Sequence, residues 1–294
     1  MSASETEKSQ LKSMPEIEKA SKTFEKLGII AGGGRLPAML IEACRKKNME
    51  PYVLAFKSHT DTDLVKNVRH SWTSLGALQK NINILKSEKI NDLVFCGDIK
   101  RPSIREMKPD IRAAKFFAFN GFKALGDNDL LSAIKGELAK DGFTLHGVHE
   151  FIEDIVAPAG LLGTKKPSEQ DLKDIDLGIK ASQEIGRLDI GQSVIIQEGS
   201  VIGVEAVEGT DELIKRSKSL LKDAQSSGVL VKTCKPQQDK NLDLPTIGIK
   251  TVENAIQAGL AGIAFHAGNS LIIDVDAVIT LADEKGLFLY GVEL

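Results

Sequence analysis

An apolar run at residues 27–31 stops at Gly32-Gly33-Gly34-Arg35 and restarts as an amphipathic stretch over 36–47, with Pro37 in its first turn. A strand that ends on glycines and continues as a helix has few ways to bury both apolar faces. The helix must lie back on a sheet, and the next strand then runs parallel to the first. Residues 51–56 supply that next strand, and the spacing predicts a helix over 76–89 and a third strand over 92–96. The third strand runs into the polar turn Gly97-Asp98-Ile99-Lys100-Arg101-Pro102. This alternation predicts a Rossmann-like parallel sheet, extended by helical segments at 103–120 and 127–140, a strand at 142–146 and a short helix from His149.

Residues 158–167 have the Pro, Gly and Lys content of a linker, which places a domain boundary there. Beyond it the pattern predicts a helix over 168–187, a hairpin turning at Glu198-Gly199, a helix reaching 224 and a strand over 228–234. Helices at 251–258 and 275–285 alternate with strands at 261–266, 270–274 and 287–292. The fold class expected is α/β in two domains. A Rossmann-like nucleotide-binding domain spans 26–157, and an α/β catalytic domain with a mixed sheet spans 168–294. Residues 1–25, rich in Ser, Glu and Lys, read as a disordered tail.

Several function classes are disfavoured by composition. A net charge of -3 and 5% aromatic residues supply neither a basic footprint nor base-stacking platforms, so no nucleic-acid partner is expected. Cys44, Cys96 and Cys234 lie far apart in apolar segments and read as reduced structural residues. No apolar run approaches the ~20 residues of a membrane span, and the expected location is the cytoplasm.

The functional residues follow from loops that folding alone does not require. Lys235 to Gly248 holds charges, amides and two prolines just beyond a strand, where α/β proteins place ligands. Pro236 and Pro245 stiffen it, so Asp239 and Asp243 can be held for a metal or a phosphate. Gly32, Gly33 and Gly34 allow backbone N–H groups to approach a phosphate, equally a tight structural turn. The turn lacks the G-x-G-x-x-G spacing of a dinucleotide site. Asp98 and Arg101 stand where a base, ribose or phosphate would sit, and Arg101 suits a phosphate fork. Gly126-Asp127-Asn128 reads first as a helix cap. Glu208 and Asp211, clustered around Gly209, suit a cap or a hard cation. Oxygen ligands, Lys, Arg and glycine-rich backbone together point to metal-assisted phosphoryl or pyrophosphate chemistry.

These motifs resemble those of the LpxI family, the UDP-2,3-diacylglucosamine pyrophosphatases of lipid A biosynthesis. The resemblance rests on Ile30-Ala-Gly-Gly-Gly-Arg-Leu-Pro37, Gly97-Asp-Ile-Lys-Arg-Pro102, Gly126-Asp127-Asn128, Asp189-Ile-Gly-Gln-Ser193, Glu208-Gly-Thr-Asp211 and Asp243-Leu-Pro-Thr-Ile-Gly248. It implies metal-dependent hydrolysis of a lipid-linked nucleotide sugar held between two domains. Water attacks the phosphorus on the sugar side, and the products are UMP and 2,3-diacylglucosamine 1-phosphate. The implied cofactor is Mg²⁺ or Mn²⁺, held by Asp239, Glu208 and Asp211, with Asp239, Lys235 and Asp211 catalytic. Substrate-binding residues on this reading are Gly32, Gly33, Gly34, Arg35, Asp98, Arg101, Asp127, Gln192, Gln238 and Thr246. The acyl chains require an apolar groove, for which Leu213, Leu220 and Leu221 are candidates beside their core role. Transient contact with the inner membrane surface and a homodimer complete the expectations. The contrasting reading is a non-catalytic sensor of a nucleotide sugar or anion, which would release no UMP.

Overall fold

A computed structural model describes residues 24–99, 107–120, 127–222 and 227–294. The tail as far as residue 23, together with Lys100, Arg101 and Gly126, lies outside the described residues.

The first domain follows the strand–glycine–helix logic. Strand β1 (Lys26–Ala31) is followed by helix α1 (Leu36–Lys46) and strand β2 (Glu50–Phe56). Then come β3 (Arg69–Thr73), α2 (Leu78–Ser87), β4 (Asp92–Cys96), α3 (Ile111–Asn120), α4 (Asp127–Ala139) and β5 (Thr144–His146). The five strands run parallel in the order β3-β2-β1-β4-β5. The order reverses between β1 and β4, and the loops leaving those strands therefore diverge and open a crevice. Strand β3 goes beyond the sequence expectation. Its residues Arg69-His-Ser-Trp-Thr are polar because it is an edge strand, so no apolar run marks it.

The glycine turn packs loop against loop. The Gly32 N–H donates to the Cys96 carbonyl at 2.8 Å and the Gly33 N–H to the Asp98 carbonyl at 2.9 Å. Asp98 returns its own N–H to Gly33 at 3.1 Å. A Cβ on Gly32 would lie 2.5 Å from the Asp98 carbonyl oxygen, closer than any side chain tolerates. Two of the amides expected to cradle a phosphate are thus spent on the neighbouring turn, and glycine is needed at 32 for close approach.

The second domain is a six-stranded mixed sheet, β6-β13-β11-β9-β7-β8. Its strands are β6 (Gly160–Leu162), β7 (Ser193–Gln197), β8 (Ser200–Val204), β9 (Val229–Lys232), β11 (Gly262–His266) and β13 (Phe288–Val292). Strands β9, β11 and β13 are parallel, while β6, β7 and β8 add antiparallel edges. The run read as a linker therefore contributes an edge strand, β6, paired with β13. Helix α5 (Glu169–Arg187) starts at a capping box between Ser168 and Asp171. Its Ile175 packs on Val194, Ile196, Val229 and Val231. Alternate strand residues, Ile195, Leu230, Ile263 and Phe265, point the other way. There they meet α6 (Thr210–Ser217), α7 (Ile249–Ala258) and α8 (Val275–Lys285). The hairpin turns at Glu198 (φ 49°) and Gly199 (φ 73°), and buried Asp174 accepts both of their N–H groups at 2.8 Å. Helix α6 ends at Ser217, and the expected extension to 224 gives way to a turn.

A short parallel pair, β10 (Thr246–Ile247) with β12 (Leu271–Ile272), ties the chain between the domains. Leu271 also bridges to Val156. Replacing Gly32 by Val is expected to cost about 1–3 kcal/mol by forcing the two first-domain turns apart. Urea denaturation measures this, and an unchanged midpoint would show that the turns have room.

Candidate active site

The site is built by the loop from Cys234 to Pro245, which leaves β9 and crosses to the first domain. Its apolar residues anchor it there. Leu242 is buried among Tyr52, Leu54, Phe56 and Leu85, whereas Cys234, Leu244 and Leu271 join the cluster around Leu27, Ile29 and Leu40. With its two neighbouring leucines buried, Asp243 is left in the wall of a cavity of about 480 Å³. Asp243 is exposed on that wall, with protein crowded around its carboxyl. Desolvation by that surrounding protein pushes Asp243 above the ordinary carboxylate range. Lys232 and Lys235 pull it back, and the charge of Asp98 adds to the rise.

The cavity has two characters. Its floor is apolar and belongs to the first domain: Leu75, Leu78, Phe95, Phe116, Leu131 and Ile134. Its rim is polar, with Asp98 on one side and Lys240, Asn241, Asp243 and Thr246 on the other. The acyl-groove candidates lie elsewhere. Leu213 is fully buried in the second-domain core, Leu221 packs against that core and Leu220 is exposed. A groove needs a gap between layers, and the gap is under α3 and α4 rather than along α6.

The remaining predicted residues are placed as follows. Asp239 ion-pairs with Lys135 of α4 at 2.5 Å and accepts the Asn241 N–H at 2.9 Å. Burial opposes its ionisation, but the Lys135 and Asn241 donors outweigh it and hold the carboxyl below its usual range. Lys235 pairs with Asp189 at 2.5 Å, both largely buried. Asp211 pairs with Lys250 at 2.8 Å, and Glu208 with Arg216 at 2.9 Å. The three carboxylates expected to share a metal are therefore each matched to a cation on a different element. Among the described residues no group of three or more His, Cys, Asp or Glu side chains is placed to hold an ion. Asp239, Glu208 and Asp211 do not fit one. The rim carboxylate Asp98 fits better, because magnesium commonly takes one or two carboxylates plus substrate phosphates.

Arg35 forms a 3.5 Å ion pair with Asp274 across the domains. Gln238 is used inside the loop, accepting the Lys235 N–H at 3.1 Å. Thr246 donates its hydroxyl to the Leu244 carbonyl, and its own carbonyl accepts from Lys232 at 3.0 Å. Gln192 leaves its side-chain oxygen buried without a partner, as Asp189 leaves one carboxylate oxygen. Asp127 opens α4, but its side chain is not among the described ones. Sequence reasoning missed two residues. Lys232 is a buried cation at a strand position that apolar periodicity reserves for a hydrophobe. Its departure from the Val-Leu-Val pattern was the available signal. His266, read as core, is half-buried at the end of β11, where burial and then the nearby Lys240 charge depress its basicity.

The fold and site define a two-domain α/β protein with an interdomain cleft that joins an apolar chamber to a charged rim. Comparison with known proteins places it more closely. Residues 26–155 match the LpxI N-terminal domain and residues 158–290 the LpxI C-terminal domain. The chain belongs to the LpxI family. It is 38% identical over 276 residues to the UDP-2,3-diacylglucosamine pyrophosphatase LpxI of Caulobacter vibrioides (strain ATCC 19089 / CIP 103742 / CB 15), covering 92% of this chain and 98% of that protein. A biotin carboxylase domain of Hydrogenobacter thermophilus 2-oxoglutarate carboxylase aligns with 68% of this chain and 41% of its own at 12% identity. Its TM-score of 0.21 makes the likeness uninformative.

Replacing Leu242 by Ala is expected to lower unfolding free energy by about 2–5 kcal/mol, as for a buried leucine in a packed core. A denaturation midpoint equal to that of the unaltered protein would show that the loop is not anchored through this side chain.

Proposed function

We propose that this protein hydrolyses the diphosphate of UDP-2,3-diacylglucosamine to UMP and 2,3-diacylglucosamine 1-phosphate, a step of lipid A biosynthesis. The observation that carries this reading is one cavity whose apolar floor meets a rim with Lys240 and the carboxylates of Asp98 and Asp243. A diacylated sugar diphosphate needs both, and the volume lies within the ~300–1,000 Å³ of small-molecule sites. The activity in the relative's name supplies the substrate class.

On this reading the acyl chains enter the chamber beneath α3 and α4, each buried CH₂ contributing about 0.8 kcal/mol. Lys240 on the rim, with the charges of Lys232 and Lys235 felt at Asp243 behind it, offsets the charge that grows on the diphosphate during transfer. Asp243, ionised, accepts the proton of a water that attacks the phosphorus on the sugar side. The bond from that phosphorus to the bridging oxygen breaks, and the oxygen leaves on UMP. Asp98 would hold the Mg²⁺ or Mn²⁺ ion together with the substrate phosphates, and the ion when bound neutralises phosphate charge. Asp239 holds the loop to α4 through Lys135 and acts on Asp243 by positioning it.

Hydrolysis in H₂¹⁸O, read by mass spectrometry, should place the label in the lipid phosphate. Label in UMP would reverse the direction of attack, and no UMP at all would sink the reading in favour of a binding protein. EDTA tests the cation: unchanged turnover removes it. Asp243→Asn is expected to lower kcat by roughly 10²–10⁴, with the substrate still bound, while Asp239→Asn costs less.

The pH dependence follows from the raised Asp243. Its ionised form, the active one, is lost as pH falls through a pKa above the ordinary ~4 of an aspartate. The acid limb of kcat/KM should therefore lie above that value and disappear in Asp243→Asn. A limb at or below the ordinary value would exclude Asp243 as its source.

A further inference from the structure

Helix α3 presents two faces of the same chemistry. Ala113, Phe116 and Phe117 line the cavity, and the opposite stripe is Ile111, Ala114, Lys115, Ala118 and Phe119. The spacing of three and four places these five on one side of the helix. Ile111 is 79% exposed and Phe119 is 92% exposed. A helix of ten residues that shows isoleucine and phenylalanine to solvent while also lining a cavity is hydrophobic nearly all round, which a water-facing helix is not. It also carries no acidic residue: Ile-Arg-Ala-Ala-Lys-Phe-Phe-Ala-Phe-Asn. Arg112 is engaged by Glu137 and Asp141, which fixes the helix against α4. Lys115 has no ion-pair partner among the described residues and points from the centre of the apolar stripe.

We propose that the outer face of α3 is a docking surface for an anionic lipid bilayer. Ile111 and Phe119 enter the interface and Lys115 meets the lipid phosphates, which brings the cavity on the helix's other face near the membrane that holds its substrate. The occupant is identified by chemistry. Interfacial helices combine aromatic and aliphatic anchors with basic residues, and their binding adds apolar burial to attraction by anionic headgroups. The choice of a bilayer over a second copy of this chain comes from the lone cation in the stripe, on a helix with no acidic residue to oppose an anionic surface. The link from this face to the substrate rests on the diacyl reading of the cavity given above. The helix is anchored at its start. Asp110 accepts the Ala113 and Gln79 N–H groups at 2.8 and 2.7 Å, so docking would not require α3 to unfold.

The test is flotation of the full chain with vesicles of phosphatidylglycerol and phosphatidylcholine, beside vesicles of phosphatidylcholine alone, without substrate. The expected result is binding to the anionic vesicles that weakens with salt. Ile111→Asp and Phe119→Asp should each weaken it by roughly tenfold or more, as the loss of one buried apolar side chain implies. Lys115→Glu should remove the preference for anionic vesicles. UMP release from detergent-dispersed substrate should be unchanged in these variants, whose circular dichroism confirms folding, and release from vesicle-borne substrate should fall. No vesicle binding by the unaltered chain, or equal binding by Ile111→Asp and Phe119→Asp, would overturn the proposal. So would sedimentation showing a dimer that Phe119→Asp dissociates, which would assign the face to a second copy. Vesicle binding is read without turnover, and turnover in detergent is read without vesicles. Failure of the docking and failure of the hydrolase reading are thus distinguishable.

Discussion

The burial of Leu242 and Leu244 in the first domain is the interaction on which the site depends. Both belong to a loop that springs from a second-domain strand, so the two cores share side chains as well as a boundary. Burying a leucine is worth roughly 1.5–3 kcal/mol, enough to hold a loop whose other residues are polar. Between these anchors Asp243 has no freedom to leave the cleft wall. The position of this carboxylate is thus a consequence of apolar packing.

Around that anchor the charges are matched in pairs across elements. Lys135 with Asp239 and Arg35 with Asp274 join the domains, while Lys235 with Asp189 fixes the base of the loop. The two more exposed pairs, Lys135 with Asp239 and Arg35 with Asp274, contribute at most about 1 kcal/mol each, so their effect is to set orientation rather than to stabilise. Asp243 is different. It lies exposed on the cleft wall beside two lysines and one carboxylate, and desolvation leaves its ionisation disfavoured.

Much of this was legible in the chain. The strand, glycine turn and helix at 27–47 gave the parallel sheet, because glycines at a strand end and Pro37 in a first turn admit little else. The hairpin at Glu198-Gly199 and the helix from Ser168 were likewise local chemistry. Strand β3 and edge strand β6 were hidden for one reason: edge strands need no apolar run, and hydropathy cannot mark them. The loop at 235–248 stood out as functional because its polarity had no folding explanation. Which of its two aspartates faces the cleft could not be read.

That last point separates what sequence determined from what tertiary structure decided. Residue pattern and the six motifs determined the two α/β domains, the family and the candidate loop at 235–248. They put Asp239 ahead of Asp243 and grouped it with Glu208 and Asp211 as metal ligands, but could not show which of these carboxylates is already paired or where the apolar chamber lies. Each of those depends on partners distant in the chain. Lys135, 104 residues away, occupies Asp239. Arg216 and Lys250 occupy Glu208 and Asp211. The chamber exists only where α3 and α4 lie over the sheet and the loop closes its rim. Local sequence fixes which groups are available. Only the folded chain decides which of them are already paired and which remain to act.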